Sequence, residues 1–559
     1  MSLGTDIVNW YDQLRSQNAN FFNTGQEIVD YLMPSHRGVT SDNAPGERKT
    51  VKIYDSTGIN ALFLVSSFLV GALFNEAMTW FDIKARNEDL NDEADVAQYL
   101  QQCRRVQFAS FRQSNFYATP IELIQDWLAF GNLCVLQERL QPNPRYPGRL
   151  VFTPVGFGSY VYFEGLDKRP EGLIREVDMS AQKCFTRWGD KCSDGLQRLA
   201  KTKPFQNVRI LHSITPRDLV AYKKLSTPKE MPYASCWFEK NNKRGPALEE
   251  SGYMEKPFAI ARYNVIAGEV MGRGLGELML PHVKTLNGII MRGFMELDIS
   301  LNPPVDTEMN NIIGDYAHTP GAKNVLRRLE KTGIGRAAME HRNRNATYEW
   351  NVNDLRQQIR EIAFVEHIRQ LIGVEASPVK EQTAFEYGKR LELVHMIMAP
   401  TGGRLQTEGL RDIIDTNFAI NYRTNQFPDT PEVLKEDKKY GGQLDISYEG
   451  PLAKSQRQEE IQSMLEYLRD IQGMAAAHPE ALDIPNIDKF ARMDAEIRGV
   501  QHLLNDPKQT DQIRQLKDQL AEMQQKLAMA ESVTQSMKNA APMVTAMKNG
   551  QQNGTAQAA

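Results

Sequence analysis

Residues 271–300 read MGRGLGELMLPHVKTLNGIIMRGFMELDIS, and residues 352–372 read VNDLRQQIREIAFVEHIRQLI. In the first, Leu278, Val283, Leu286, Ile290, Phe294 and Leu297 recur at steps near three and four; in the second, Leu355, Ile359, Ile362, Val365, Ile368 and Ile372 do the same. That period places apolar side chains on one stripe of a helix, so each stretch is expected to bury one face. Asn302-Pro303-Pro304 stops the first helix, because proline has no N–H for the ladder and biases its predecessor away from helical angles. Asn353 or Asn351 caps the second. From Gly276 to Ser300 the first helix reaches roughly 37 Å at about 1.5 Å per residue, the length of a strut rather than a connector. Two helices thus flank an insert punctuated by Pro and Gly.

The remaining sequence is long enough to seat such a strut. Its 559 residues, 41% hydrophobic and 24% charged, are a globular, soluble composition with room for several domains. The 66 basic and 70 acidic residues leave a net charge of −4, which excludes a basic clamp that draws in nucleic acid by its whole-chain field. Cys103, Cys134, Cys184, Cys192 and Cys236 are an odd number with no CxxC and no paired His spacing, and read as buried free thiols in a reducing cytoplasm. MSLGTDIVNWYDQL at the start lacks the apolar run of a signal peptide. GINALFLVSSFLVGALF, residues 58–74, is 17 residues long and contains Asn60 and two serines. Its length and lack of basic flanks favour a buried helix over a membrane span, with Asp55 or Ser56 as its cap.

Along the chain, residues 6–33 read as two amphipathic helices that contribute Trp10, Leu14, Phe22, Ile28 and Leu32, followed by a polar loop over 35–52. Trp80–Ile83 reads as a short strand or turn, and Val96, Tyr99, Cys103 and Phe111 mark another helix. The acidic run 88–95 suits the start of that helix better than a metal site. Thr119-Pro120-Ile121-Glu122 has the hydroxyl cap, first-turn proline and glutamate of a helix start. Between 149 and 265 short runs such as YASCWFE and FAIARYNV change the signal to strands. Residues 373–380 break the period, and 381–398 resume it. Residues 410–418 form a further helix, 425–442 a polar connector, and Ile446–Tyr448 a strand. Near the end Ile513, Leu516, Leu520, Met523, Leu527, Ala530, Thr534 and Met537 alternate steps of three and four, a heptad seam. Residues 548–559 are Gln, Asn, Gly and Ala with Lys548 and Thr555, and are expected to be disordered.

Catalytic signatures are missing. There is no G-x-x-x-x-G-K-[ST], H-E-x-x-H or G-x-S-x-G. Gly272-Arg273-Gly274-Leu275-Gly276 lacks the spacing and the βαβ partner of a dinucleotide site, and is read as a flexible lead into the strut. Glu340-His341 and Glu366-His367 are adjacent pairs that point apart on a helix. No catalytic residue, metal, cofactor or small-molecule substrate is expected.

Three phrases carry a family resemblance. Gly272, Arg273, Gly274, Gly276, Leu280, Pro281, Lys284, Leu286 and Asn287 spell GRG-x-G-x-x-x-LP-x-x-K-x-LN at the head of the first helix. Tyr54-Asp55-Ser56-Thr57-Gly58 precedes the apolar run and Trp80-Phe81, and Tyr448-Glu449-Gly450-Pro451-Leu452-Ala453-Lys454 follows much later. In this order the phrases resemble the head-to-tail connecting (portal) proteins of short-tailed double-stranded DNA phages.

The resemblance implies an α+β, predominantly α-helical subunit with wing, stem, clip and helical crown, assembling into a twelve-copy ring. The wing would take 1–270 (α-rich 1–148, β-rich 149–265), the first stem helix 271–301, the clip 302–351 and the second stem helix 352–373. A channel loop and return helices would occupy 374–453, the crown with its heptads 454–541, and a disordered tail 542–559. Lys380, with Val379, Ser377 and Glu375, would face DNA, contacting phosphate without reading sequence. Arg273, Lys284, Arg292, Arg356 and Arg360 would be stem charges. Lys323, Arg327, Arg328, Lys331, Arg336, Arg342 and Arg344 would form a docking face on the clip, although an ordinary solvated face accounts for them equally. The implied partners are double-stranded DNA in the channel, the terminase packaging motor, tail adaptor proteins, capsid and scaffolding proteins, and internal core proteins. The implied place is the portal vertex of the virion, after assembly in the host cytoplasm. Twelve copies at −4 would give the ring about −48, walls along which a polyanion slides. The competing reading is a helical scaffold or adaptor that oligomerises through its C-terminal heptads and has no DNA channel.

Overall fold

The computed structural model describes residues 3–41, 46–47, 50, 53–76, 79–87, 90–91, 93–140, 149–217, 228–242, 245–301, 305–308, 323–326, 336–337, 345–372, 402–435, 444–448, 463, 465–471, 490–491, 510 and 512–530. The fold is α+β. Chain contacts separate one unit of Met1–Arg86, Tyr99–Thr430 and Gly442–Ser455 from a second of Asn87–Gln98, Pro431–Gly441 and Gln456–Ala559.

The first unit begins with helices α1 (Leu3–Gln17), α2 (Ala19–Tyr31) and α3 (Thr57–Leu73). The α3 helix is mostly apolar yet one-sided: Gly58, Ala61, Leu62, Val65 and Leu69 are buried, whereas Phe63 is 58% exposed. Among the described residues no helix is long and apolar enough to cross a membrane. Of the two expected caps, Asp55 acts: its Oδ1 accepts from Thr57 N at 2.7 Å, and Ser56 makes no side-chain cap bond. Strand β1 (Phe81–Ala85) follows and later pairs antiparallel with β13 (Leu444–Tyr448), setting Phe81 opposite Tyr448. Trp80 sits among Phe74, Phe81, Phe108 and Phe116 with ring centroids 4.7–6.0 Å apart, so an aromatic core joins α3 and β1 to α4 (Ala94–Gln113).

Helix α5 (Pro120–Phe130) has its proline at the first turn, but the expected hydroxyl cap does not form. Thr119 Oγ1 donates back to Phe116 O at 2.8 Å, drawn there by the short 3-10 turn that precedes it. Gly131 closes α5 at φ +81°, a left-handed angle that suits glycine. Strand β2 (Asn132–Arg139) lies between β3 (Leu150–Pro154) and β9 (Phe258–Arg262), antiparallel to both. It falls in the stretch expected to be α-rich: Asn132–Gln137 are all buried, so no period-two alternation betrays the strand.

A second sheet is an antiparallel meander of β4 (Tyr160–Glu164), β5 (Pro170–Ser180), β6 (Asn207–Pro216), β7 (Tyr233–Glu239) and β8 (Glu249–Tyr253). Helices α6 (Ala181–Trp188) and α7 (Asp194–Thr202), inside the stretch expected to be β-rich, close one face through Cys184, Trp188, Leu196, Ile210 and Trp237. His212 is buried in this sheet, stacked on Trp237 at 4.0 Å, accepting from Arg175 Nε at Nδ1 and bonded to Ser235 Oγ. Burial, then Arg175, hold it well below its usual pKa, so it stays neutral. All five cysteines are buried free thiols.

Helix α8 (Leu275–Leu301) carries the chain away from these sheets, with Pro281 inside its second turn. Short strands β10 (Val305–Glu308), β11 (Lys323–Leu326) and β12 (Arg336–Ala337) make a small sheet, β10 parallel to β11 and antiparallel to β12. Helix α9 (Asn345–Ile362) then returns, so Asn351 and Asn353 lie inside the helix they were expected to cap. The expected unbroken second helix is divided. Phe364 takes φ +55° between α9 and α10 (Val365–Ile372). A six-residue π-helix, Leu405–Leu410, runs into α11 (Arg411–Arg423).

In the second unit the described residues include the short helix α12 (Glu432–Lys435), a helical stretch at 465–471 and a helix at 512–530.

Candidate functional site: the strut and its root

The start of α8 is locked onto the end of α5 by close backbone contact. A Cβ at Gly274 would stand 2.5 Å from both Ala129 O and Gly131 N, one at Gly276 2.5 Å from Ala129 O, and one at Gly272 2.4 Å from Gly131 O. The GRG-x-G phrase is therefore no flexible lead; its glycines let two backbones touch where a side chain would clash. Buried Asn132 completes the joint. Its Nδ2 donates to Gly272 O and its Oδ1 accepts from Gly272 N, both at 2.9 Å, while Tyr162 OH donates to the same Oδ1 at 2.7 Å. Burial pushes the Tyr162 hydroxyl up, so it remains a donor.

Further along α8, Asn287 reaches the second phrase. Its Oδ1 accepts from Tyr54 N at 2.6 Å and Asp55 N at 3.0 Å, while Nδ2 donates to Val283 O. Asp55 in turn accepts at Oδ2 from Arg356 Nε at 3.0 Å and from an Arg356 terminal nitrogen at 2.8 Å. Burial works against the Asp55 charge, but the Thr57 hydrogen bonds and then Arg356 outweigh it and hold the carboxyl below its usual range. Gly58 lets α3 approach α8, since a Cβ there would lie 2.8 Å from Val283. Asn287, from the strut phrase, thus bonds the YDSTG backbone directly, and that phrase's carboxylate takes the arginine of α9.

Of the expected stem charges, three are engaged within the chain. Arg273 pairs with Glu269 at 2.7 Å and Glu277 at 2.5 Å, Lys284 with Glu27 at 2.7 Å, and Arg356 with Asp55. Arg292 is exposed and Arg360 half-buried. Lys323 and Arg336 fall on β11 and β12; Arg327, Arg328, Lys331, Arg342 and Arg344 lie outside the described residues, as do Glu375, Ser377, Val379 and Lys380.

The expected stripe on α8 is corrected in three places. Leu275, Met279, Leu280, Val283, Leu286 and Ile290 are buried, but Leu278, Phe294 and Leu297 are exposed by 62%, 54% and 51%. Met291, Met295 and Leu301 are exposed too, as is Trp350 on α9. The distal half of α8 meets α9 closely at Gly293, beside Tyr348, and otherwise presents apolar side chains outward. Apolar side chains grouped in the open on one helix make it a candidate interaction face.

Sequence reasoning missed a second anchor. Arg262 donates through Nε and a terminal nitrogen to both oxygens of Glu408, at 3.0 and 2.8 Å, and also bonds Glu164, Val270 O and Lys168 O. It thereby ties the strand before α8 to the π-helix before α11. With 146 residues between Arg262 and Glu408, no local pattern points to the pair.

Residues 5–504 match the family described as "Bacteriophage head to tail connecting protein". The chain is 24% identical to the "Probable portal protein" of Bordetella phage BPP-1 over 541 residues, 96% of this chain and 94% of that protein. It is 25% identical to the "Portal protein" of Salmonella phage epsilon15 over 539 residues, 94% and 93% of the two. A solved structure described as "Virion of native gene transfer agent (GTA) particle" aligns with 84% of this chain and 98% of its own, at 13% identity and a TM-score of 0.31. The three phrases, their mutual contacts and this near full-length match agree: the chain belongs to the bacteriophage head to tail connecting protein family.

Proposed function

We infer that the protein is a portal subunit, a structural component of the phage head–tail junction that forms a ring channel for genome packaging and ejection. The observation that carries this reading is the match across nearly the whole chain to proteins named as portals. The α8 strut supports it physically: one chain anchors the root and leaves the distal half apolar and exposed, as expected of a helix that neighbouring copies cover in a ring.

On this reading the ring has twelve copies, α8 and α9 form the stem, and the clip expected at 302–351 lies between them, α9 taking over from Asn345. The clip charges dock the terminase motor and later the tail adaptors, with capsid and scaffold around the wing and core proteins at the crown. Lys380 and its neighbours face the DNA. Arg273, Lys284 and Arg356 brace the root, which leaves Arg292 and Arg360 as the stem charges available to the channel or to neighbouring copies. The fold supplies rigidity and shape, and the walls let DNA slide because strong phosphate contacts would act as a brake.

Negative-stain electron microscopy of the purified chain tests the reading. Closed rings with a hole wide enough for a duplex are expected, and should persist when the chain is cut near Asn505. Monomers after that cut would favour the coiled-coil adaptor instead.

A further inference from the structure

Every residue of helix 512–530 is exposed. Along it Ile513, Leu516, Leu520, Met523 and Leu527, each between 42% and 61% exposed, alternate steps of four and three and so form one stripe. With Ile513 at the first heptad position, Leu520 and Leu527 repeat it, and Leu516 and Met523 take the fourth. The flanks of the stripe are polar: Lys517 and Gln524 on one side, Gln519 and Lys526 on the other. The apolar seam is therefore only two positions wide per heptad. A closed tube in which each helix touches two neighbours would bury the flanks as well; a seam this narrow, polar on both flanks, suits a single partner helix.

We propose that this helix pairs with the same helix of one other copy as a parallel two-stranded coiled coil, coupling the subunits of the ring two by two. The parallel sense rests on the ring reading above, because copies around one axis all point the same way along it. Charge is compatible with that sense. Each flank meets the opposite flank five residues on in the other copy, so Gln512 faces Lys517 and Gln519 faces Gln524, with no like charges opposed. Within its own helix the flank residue Lys526 has its Nζ 3.7 Å from Glu522. A seam of this length is marginal for free helices, and attachment to a ring supplies the effective concentration it needs.

Met523→Cys in the full-length protein tests the pairing. The five native cysteines are buried, so wild type serves as a clean control for oxidation. In a parallel pair the two introduced thiols face each other within disulfide reach, and nearly every chain should run as a covalent dimer on a denaturing, non-reducing gel. A three-stranded coil would link at most two chains of every three, and a tube would hold the thiols too far apart to link; either result overturns the proposal. Gln525→Cys, on the outer face, should not crosslink, and equal crosslinking there would reduce the Met523 result to random collision. Microscopy of the reduced sample separates the two readings. Dimers from a sample without rings would sink the portal assignment and retain the pairing, whereas rings without dimers would do the reverse.

Discussion

The two halves of α8 solve opposite problems. At the root the backbone and polar contacts are made within one chain: glycines touch the α5 backbone, Asn132 and Asn287 bond main-chain groups, and Asp55 holds Arg356. At the tip Phe294, Met295, Leu297 and Leu301 are half or more exposed or close to it, with the Tyr54 ring 6.4 Å from that of Phe294. The contrast teaches where the subunit ends and the assembly begins. A helix of 27 residues is some 40 Å long at about 1.5 Å per residue, further than one chain's core covers. On the portal reading the root is folded by the chain, and the tip is left for a neighbouring copy.

The most forceful way to test that division is Gly274→Val. The clash is with backbone atoms of Ala129 and Gly131, which cannot rotate away as a side chain could. A loss of about 3 kcal/mol or more, or no folded protein at all, is expected in urea unfolding. Asn287→Ala comes next. It leaves the N–H groups of half-exposed Tyr54 and buried Asp55 without their acceptor, for an expected loss of about 1–3 kcal/mol by the same measurement.

Arg356→Gln should cost only about 1 kcal/mol at neutral pH, because the arginine side chain is 38% exposed and solvent screens it. Its pH dependence is more telling. Asp55 is held below its usual range when folded, so its stabilisation is present above the unfolded pKa near 3.9 and disappears as pH falls through the lower folded value. Urea midpoints of wild type and variant should therefore differ at pH 7 and converge toward pH 3. A constant gap would mean that Arg356 acts by packing rather than charge.

How much of this the sequence displayed depends on distance along the chain. The period on α8 was legible because it is local, and the helix lies where the spacing placed it. The same period could not distinguish positions the chain buries from positions it leaves exposed, so Leu278, Phe294 and Leu297 joined the stripe on equal terms with Val283 and Leu286. The glycines were visible but their role was not. Flexibility and close approach use the same residue, and only the position of Ala129 and Gly131 decides between them. Asn132 and Gly272 are 140 residues apart, and Asp55 and Arg356 are 301 apart; no pattern within a window connects either pair. The π-helix and the φ +55° of Phe364 arise from tertiary constraints that helical propensity does not record. The candidate charges on α8 and α9 were nameable, but which of them are neutralised internally followed from packing alone.

Two milder changes probe the helix beyond its root. Gly288→Ala meets nothing within 4 Å, and alanine restricts the unfolded chain more than glycine, so a gain of about 0.5–1 kcal/mol is expected, opposite in sign to Gly274→Val in the same helix. The smallest effect on the subunit belongs to the tip. Phe294→Ser and Leu297→Ser remove apolar groups that are already half exposed, so each should change subunit unfolding by less than about 0.5 kcal/mol. Burial against a neighbouring copy would be lost at every interface of the ring at once. Ring yield measured by native mass or microscopy should therefore fall while the unfolding midpoint of the dissociated subunit stays put. If instead the subunit itself weakens and rings form normally, the tip is covered by its own chain, and the division between a self-sufficient root and a dependent tip is wrong.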